Sequence, residues 1–116
     1  MKLTGKAKED FLVWYFNTYL KEDKYCLIKD IESFFKTVKP TLQNALIIEW
    51  FDSVGIYFNN GLSFIKHKKY KCEIYQEEND NILGNCFVFR GKYLSHDKEE
   101  VIEQAIIKAN EIYNER

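Results

Sequence analysis

The sequence predicts an α+β domain in which N-terminal helices lead into a three- to four-stranded antiparallel meander sheet, and a C-terminal amphipathic helix packs on that sheet. Three observations predict it. Apolar residues recur at helical spacing as far as Gly55, switch to period two between residues 56 and 94, and return to helical spacing after Ser95. A single proline, Pro40, and five glycines punctuate 116 residues without any Ser/Gly/Pro-rich linker or internal repeat, so residues 1–116 are expected to form one domain. A chain of this length buries roughly two thirds of the surface it exposes when unfolded, enough for a core without staples.

From Lys6 to Lys21 the stretch KAKEDFLVWYFNTYLK predicts the first helix, with Thr4 as N-cap and Glu9 and Asp10 toward the positive helix end. Phe11, Tyr15 and Tyr19 recur every four residues. Leu12, Trp14 and Phe16 widen that stripe until the helix needs cover on more than one side. Residues 25–38 place Leu27, Ile28, Ile31, Phe34, Phe35 and Val38 on a second helical stripe, stopped by Pro40, which pushes the residue before it out of the helical region. Thr41 is expected to cap a third helix carrying Leu42, Ala45, Leu46, Ile48, Trp50, Phe51 and Val54 and ending at Gly55, a residue suited to a left-handed exit. Its segment 45–51, ALIIEWF, also fits a buried strand; helix is the preferred reading.

Ile56-Tyr57-Phe58, the turn Asn59-Asn60-Gly61 and Leu62-Ser63-Phe64-Ile65 read as a hairpin, because Asn-Gly supplies the positive φ of a tight turn. Tyr70, Cys72 and Ile74 alternate with Lys71, Glu73 and Tyr75 in a further strand. Glu77 to Asn81 reads as a polar loop, and Cys86-Phe87-Val88-Phe89 as the last strand. Ser95 or Asp97 is expected to cap the final helix, Asp97 standing three residues before Glu100 in the manner of a capping box, and Ile102, Ala105, Ile106, Ala109, Ile112 and Tyr113 form its apolar stripe. The small Ala105 and Ala109 permit close approach to the sheet.

Composition excludes several classes. Nine Phe, eight Tyr and two Trp within 46% apolar residues exclude a disordered chain. No apolar run approaches the ~18 residues of a membrane span and the N-terminus has no secretory pattern, so a soluble, cytoplasmic protein is expected. Cys26, Cys72 and Cys86 are odd in number and form no CxxC pair, and His67 and His96 stand alone, so neither a disulfide framework nor a metal site is predicted and no cofactor is expected. Asp30 with Glu32 and Glu49 with Asp52 read as solvated helix faces. Nucleotide-binding, nucleophile-elbow and zinc-protease motifs are absent, and the sequence predicts no enzyme.

Two surface signals remain. Lys66, His67, Lys68, Lys69, Tyr70 and Lys71 make a basic segment with one aromatic, suited to phosphates or an acidic protein surface. Against nucleic acid stand a pI of 6.1 and the acids that follow, Glu73, Glu77, Glu78 and Asp80. The helix–strands–helix order overlaps that of double-stranded RNA-binding domains, but the turn His96-Asp97-Lys98-Glu99-Glu100 is acidic where those domains carry lysines. The second signal is aromatic: Trp14, Phe16, Tyr57, Tyr75 and Tyr93 exceed what one small core needs, and Tyr and Trp favour protein interfaces. Glu99, Glu100 and Glu103 give the last helix an acidic face, part of six acids against three bases from residue 97 to 116.

The segments LTGKAKEDF (3–11), EWFDSVGI (49–56) and KANEIYNE (108–115) resemble a group of small bacteriophage and prophage proteins. The resemblance implies a phage-type factor that binds a host protein, with an anti-CRISPR-like inhibitor of a defence nuclease or ribonucleoprotein effector as the fullest form of that expectation. The surplus aromatics also suit a homodimer, and the rival expectation is a nucleic-acid-associated accessory domain built on Lys66 to Lys71.

Overall fold

The computed structural model describes residues 1–21, 30–64, 66, 68–82 and 84–116. Helix α1 spans Gly5–Tyr15 and runs into a π-helical turn over Phe16–Leu20; α2 is Ile31–Lys36 and α3 is Pro40–Ser53. Strands β1 (Ile56–Phe64), β2 (Lys69–Asp80) and β3 (Gly84–Ser95) form one antiparallel sheet in the order β1-β2-β3, and α4 (Lys98–Asn114) packs across one face of it. The α+β reading holds, with three strands. Leu27, Ile28 and Cys26 of the expected second helix, and His67 of the basic segment, lie outside the described residues.

The π turn solves a packing problem in α1. Ala7, Phe11 and Tyr15 are buried at spacings of four, and the next buried residue is Leu20, five further on. The extra residue of a π turn thus returns Leu20 to the core stripe and turns Tyr19 out, where its hydroxyl donates to Glu49 Oε2 at 2.7 Å. The expectation that Tyr19 continues the stripe is therefore corrected. Trp14 and Phe16 pack against the core rather than standing free. Phe11 is the hub of an aromatic cluster, with ring centroids 5.0 Å from Phe35, 5.8 Å from Trp14, 5.8 Å from Trp50 and 5.9 Å from Tyr15.

Segment 45–51 is helical. Pro40, not Thr41, opens α3 from the first helical position, where its missing N–H costs nothing. Leu46, Ile47, Trp50 and Phe51 face the core, while Leu42 and Ala45 stay on the surface. Gly55 ends the segment at φ +84°, the left-handed exit its sequence position suggested.

The N-terminus of α1 is closed from the far end of the chain. Thr4 occupies the N-cap but makes no capping bond with its own side chain. Instead Asn110 of α4 accepts from the Thr4 N–H at 3.0 Å and donates to Thr4 Oγ1 at 2.9 Å. One turn on, Asn114 accepts from the Ala7 N–H at 2.8 Å and donates to the Thr4 carbonyl at 2.9 Å. At α4 itself Asp97 accepts from the N–H groups of Glu99 and Glu100. Glu100 does not close the box on Asp97; it accepts from Ser95 Oγ, which in turn accepts from the Asp97 N–H.

Two strand boundaries differ from expectation. Asn59-Asn60-Gly61 is not a turn: Asn59 pairs with Glu73, Asn60 with Cys72 and Gly61 with Lys71, so β1 runs on to Phe64. A turn at Asn-Asn-Gly would leave a three-residue strand, whereas the longer ladder satisfies more backbone groups; the reversal comes later, where Lys68 adopts φ 49°. Likewise Glu77 to Asp80 is strand, paired with Phe87, Cys86, Asn85 and Gly84, and the turn follows, where Asp80 Oδ1 accepts from the Ile82 N–H. This end of the hairpin projects past the core, so polar residues suit both its faces and mimic a loop in sequence.

Sheet alternation decides which side chains meet α4. Ile56, Cys72 and Ile74 are fully buried on the inner face beneath Val101, Ala105, Ile106 and Ala109. Burial pushes the Cys72 thiol up to about 11, with Glu73 adding to it, and burial together with a hydrogen bond to Asp10 pushes the Tyr113 phenol up to about 12. Both groups hold their protons more tightly folded than unfolded. The stability they contribute is complete below 9.0 and 10.0, their ordinary values, and drains as pH rises through about 11 and about 12. Urea midpoints measured from neutral pH upward should fall over that window, and Tyr113→Phe should flatten the upper part of the fall. With Cys26 and Cys86 replaced by serine, the Cys72 thiol should react with a disulfide reagent about 100-fold more slowly in the native than in the urea-unfolded chain.

Candidate functional site

The inner sheet face is spent on α4; the outer face is not. Among the described residues no helix lies on it, and it carries Tyr57, Tyr75, Phe87 and Phe89 together. The register explains the grouping: Tyr57 pairs with Tyr75, Tyr75 with Phe89, and Glu77 with Phe87, so the four rings occupy adjacent positions across three strands. Their centroids approach edge to face, Tyr57 with Phe87 at 5.3 Å and Tyr75 with Phe89 at 5.8 Å. Phe87 is 62% and Phe89 54% exposed, so both rings present more than half of their surface to solvent. A bulge at Arg90, whose guanidinium turns inward to donate to Gln76 Oε1 at 2.7 Å, sets the phase in which Phe87 and Phe89 face outward.

Two carboxylates border the rings. Tyr57 Oη donates to Glu77 Oε2 at 3.0 Å and Tyr75 Oη donates to Glu73 Oε2 at 2.8 Å. These bonds raise both phenols above the usual tyrosine range, with desolvation and the same carboxylates' charge adding to it. Glu73 is held below the usual carboxylate range, first by the Tyr75 hydroxyl and then by Lys71, whose ammonium lies 3.2 Å away. Among the described residues Glu77 has no ion-pair partner.

The residues singled out in the sequence do not form one site. Tyr57 and Tyr75 share the outer face, while Tyr93 points the other way and packs beneath α4. Lys66 and Lys68 are exposed at the β1–β2 turn and Lys69 opens β2. Tyr70 is half-buried and packs partly against the core. The acidic face of α4 is largely tied within the molecule: Glu99 accepts from Asn44 Nδ2 at 3.2 Å, Glu100 from Ser95 Oγ at 3.0 Å, and Glu103 pairs with Lys2 at 3.3 Å.

The sequence reading missed Phe87 and Phe89 as surface residues. Both strand faces are apolar there, Cys86 and Val88 on one and Phe87 and Phe89 on the other, so alternation alone does not say which side faces the core. A groove of about 330 Å³ runs between the β1–β2 end and the first turn of α4, lined in part by Leu62, Tyr70, Lys71, Lys98 and Ile102. Among the described residues no three His, Cys, Asp or Glu side chains cluster as metal ligands, and no helix is long and apolar enough to cross a membrane.

Fold and site together define an α+β domain with a helix-backed three-stranded sheet whose outer face is aromatic. Comparison with protein-family models, curated proteins and solved structures finds no match to this chain.

Proposed function

We propose that the chain is a binding module without chemistry of its own, which engages a protein partner through the outer sheet face. The carrying observation is the aromatic quartet: Tyr57, Tyr75, Phe87 and Phe89 gathered by strand register on a face that no described helix covers. Rigid aromatic side chains on a sheet bury area at low entropic cost, which is what an interface anchor needs. The phage resemblance supplies the class of partner: a host effector, a defence nuclease in the fullest form, inhibited by stoichiometric occupation of its surface. The rival nucleic-acid reading is weakened because Tyr70 packs partly against the core and Lys71 is paired with Glu73.

The test is capture from nuclease-treated host lysate by the tagged chain, compared with Phe87→Ser/Phe89→Ser and with Lys66, Lys68, Lys69 and Lys71 all changed to Glu. A stoichiometric protein retained by the wild type and the lysine variant, and lost at least about tenfold by the phenylalanine variant, supports the reading. Recovery of nucleic acid alone, abolished by the lysine changes, would sink it.

A further inference from the structure

Resting on that reading, we infer that the outer face recognises a basic protein segment, seating arginine or lysine head groups against the aromatic quartet and the Glu77 carboxylate. Ring faces carry negative charge density and attract cations lying over them, guanidinium groups above all. Here the rings sit between two carboxylates rather than between two lysines. Each carboxylate spends one oxygen on a tyrosine hydroxyl, Glu77 on Tyr57 and Glu73 on Tyr75, which fixes its position while leaving acceptor capacity open. The two then differ. Lys71 already neutralises Glu73, and Lys92 stands opposite it in register, whereas Glu77 has no cation paired with it among the described residues. Charge on the face is therefore polar along the strands, with the Glu77 carboxylate and the exposed Phe87 and Phe89 at one end and Lys71 and Lys92 at the other. A cationic side chain fits the first end and is repelled by the second. A phosphate backbone meets the reverse field, with Glu77 where it needs a cation.

The probe is a nine-residue Gly/Ser peptide carrying three arginines, beside versions with three lysines, three glutamates or no charge, titrated into the isotope-labelled protein and followed by amide shifts. The arginine peptide should perturb residues 56–58, 73–77 and 86–89. Glu77→Gln, which keeps an acceptor for Tyr57, and Phe89→Ala should each weaken it about tenfold without lowering the melting temperature of the free protein by more than a few degrees. Equal binding of the uncharged peptide, shifts centred on Glu99, Glu100 and Glu103 of α4, or affinity unmoved by both variants would overturn the inference. So would sedimentation showing a dimer that Phe89→Ser dissolves, which would make a second copy the occupant. The two claims fail separately. A partner captured through Phe87 and Phe89 but indifferent to Glu77→Gln refutes the basic partner and leaves the docking face. Capture that survives Phe87→Ser/Phe89→Ser refutes the face itself.

Discussion

Phe11→Ala is expected to cost about 3–5 kcal/mol, a large part of the 5–15 kcal/mol by which a domain of this size is ordinarily stable. The side chain is fully buried and its ring touches Trp14, Tyr15, Phe35 and Trp50, which come from α1, α2 and α3. Truncation removes the transfer free energy of the ring and opens a cavity walled by large planar groups anchored on three different elements. Such walls collapse poorly, which places the cost toward the upper part of the range. Urea unfolding followed by tryptophan fluorescence should show the midpoint falling sharply at an unchanged slope. A loss below about 1 kcal/mol would mean the cluster repacks freely, and α1 is then not held as described. Phe11→Leu, which keeps most of the apolar volume, should recover more than half of the loss.

Asn110→Ala with Asn114→Ala is expected to cost about 2–4 kcal/mol, although neither residue belongs to the apolar core. Together they accept from two backbone N–H groups at the start of α1 and donate to two Thr4 oxygens. Asn110 is 9% exposed, so water replaces its bonds only in part. Because both act on the same four residues, the double change should cost less than the two single changes added together. Hydrogen exchange gives the sharper reading: the amides of Thr4 and Ala7 should lose protection before those of Trp50 or Ile106 do. Asn114→Asp keeps the acceptor for the Ala7 N–H and loses the donation to the Thr4 carbonyl, so it should fall between wild type and alanine.

How legible the fold was in the sequence depended on whether burial came from one side. In α4 one broad side meets the sheet, α1 and α3 while the opposite side meets solvent, and all six residues of the expected stripe are buried. In α1 nearly every position is apolar, and periodicity gave no warning that a π turn would hand the stripe from Tyr15 to Leu20. The hairpin was displaced for a related reason. Asn-Asn-Gly is a strong local turn signal, but a ladder of nine residues outweighs a turn preference worth a fraction of that.

The candidate site was half legible. Tyr57 and Tyr75 were marked as surplus aromatics, yet their partners Phe87 and Phe89 were placed only in the last strand, with no face assigned, because β3 is apolar on both faces through that stretch. Tyr93 and Tyr70 were marked as well and belong to the inner side. Which aromatic faces out is set by the phase of β3, and that phase is set by one bulge at Arg90.

By itself the sequence determined the class of fold, the helical nature and stripe of α4 and the left-handed exit at Gly55. Each follows from local chemistry: period, and proline and glycine geometry. Only the tertiary structure decided the capping of α1 by Asn110 and Asn114, the tying of Glu99 to Asn44, and the gathering on one sheet face of four rings and a Glu77 that has no ion-pair partner among the described residues. Those joins span up to about a hundred residues of chain and depend on strand register, and a one-residue change of phase would turn the same side chains into the core.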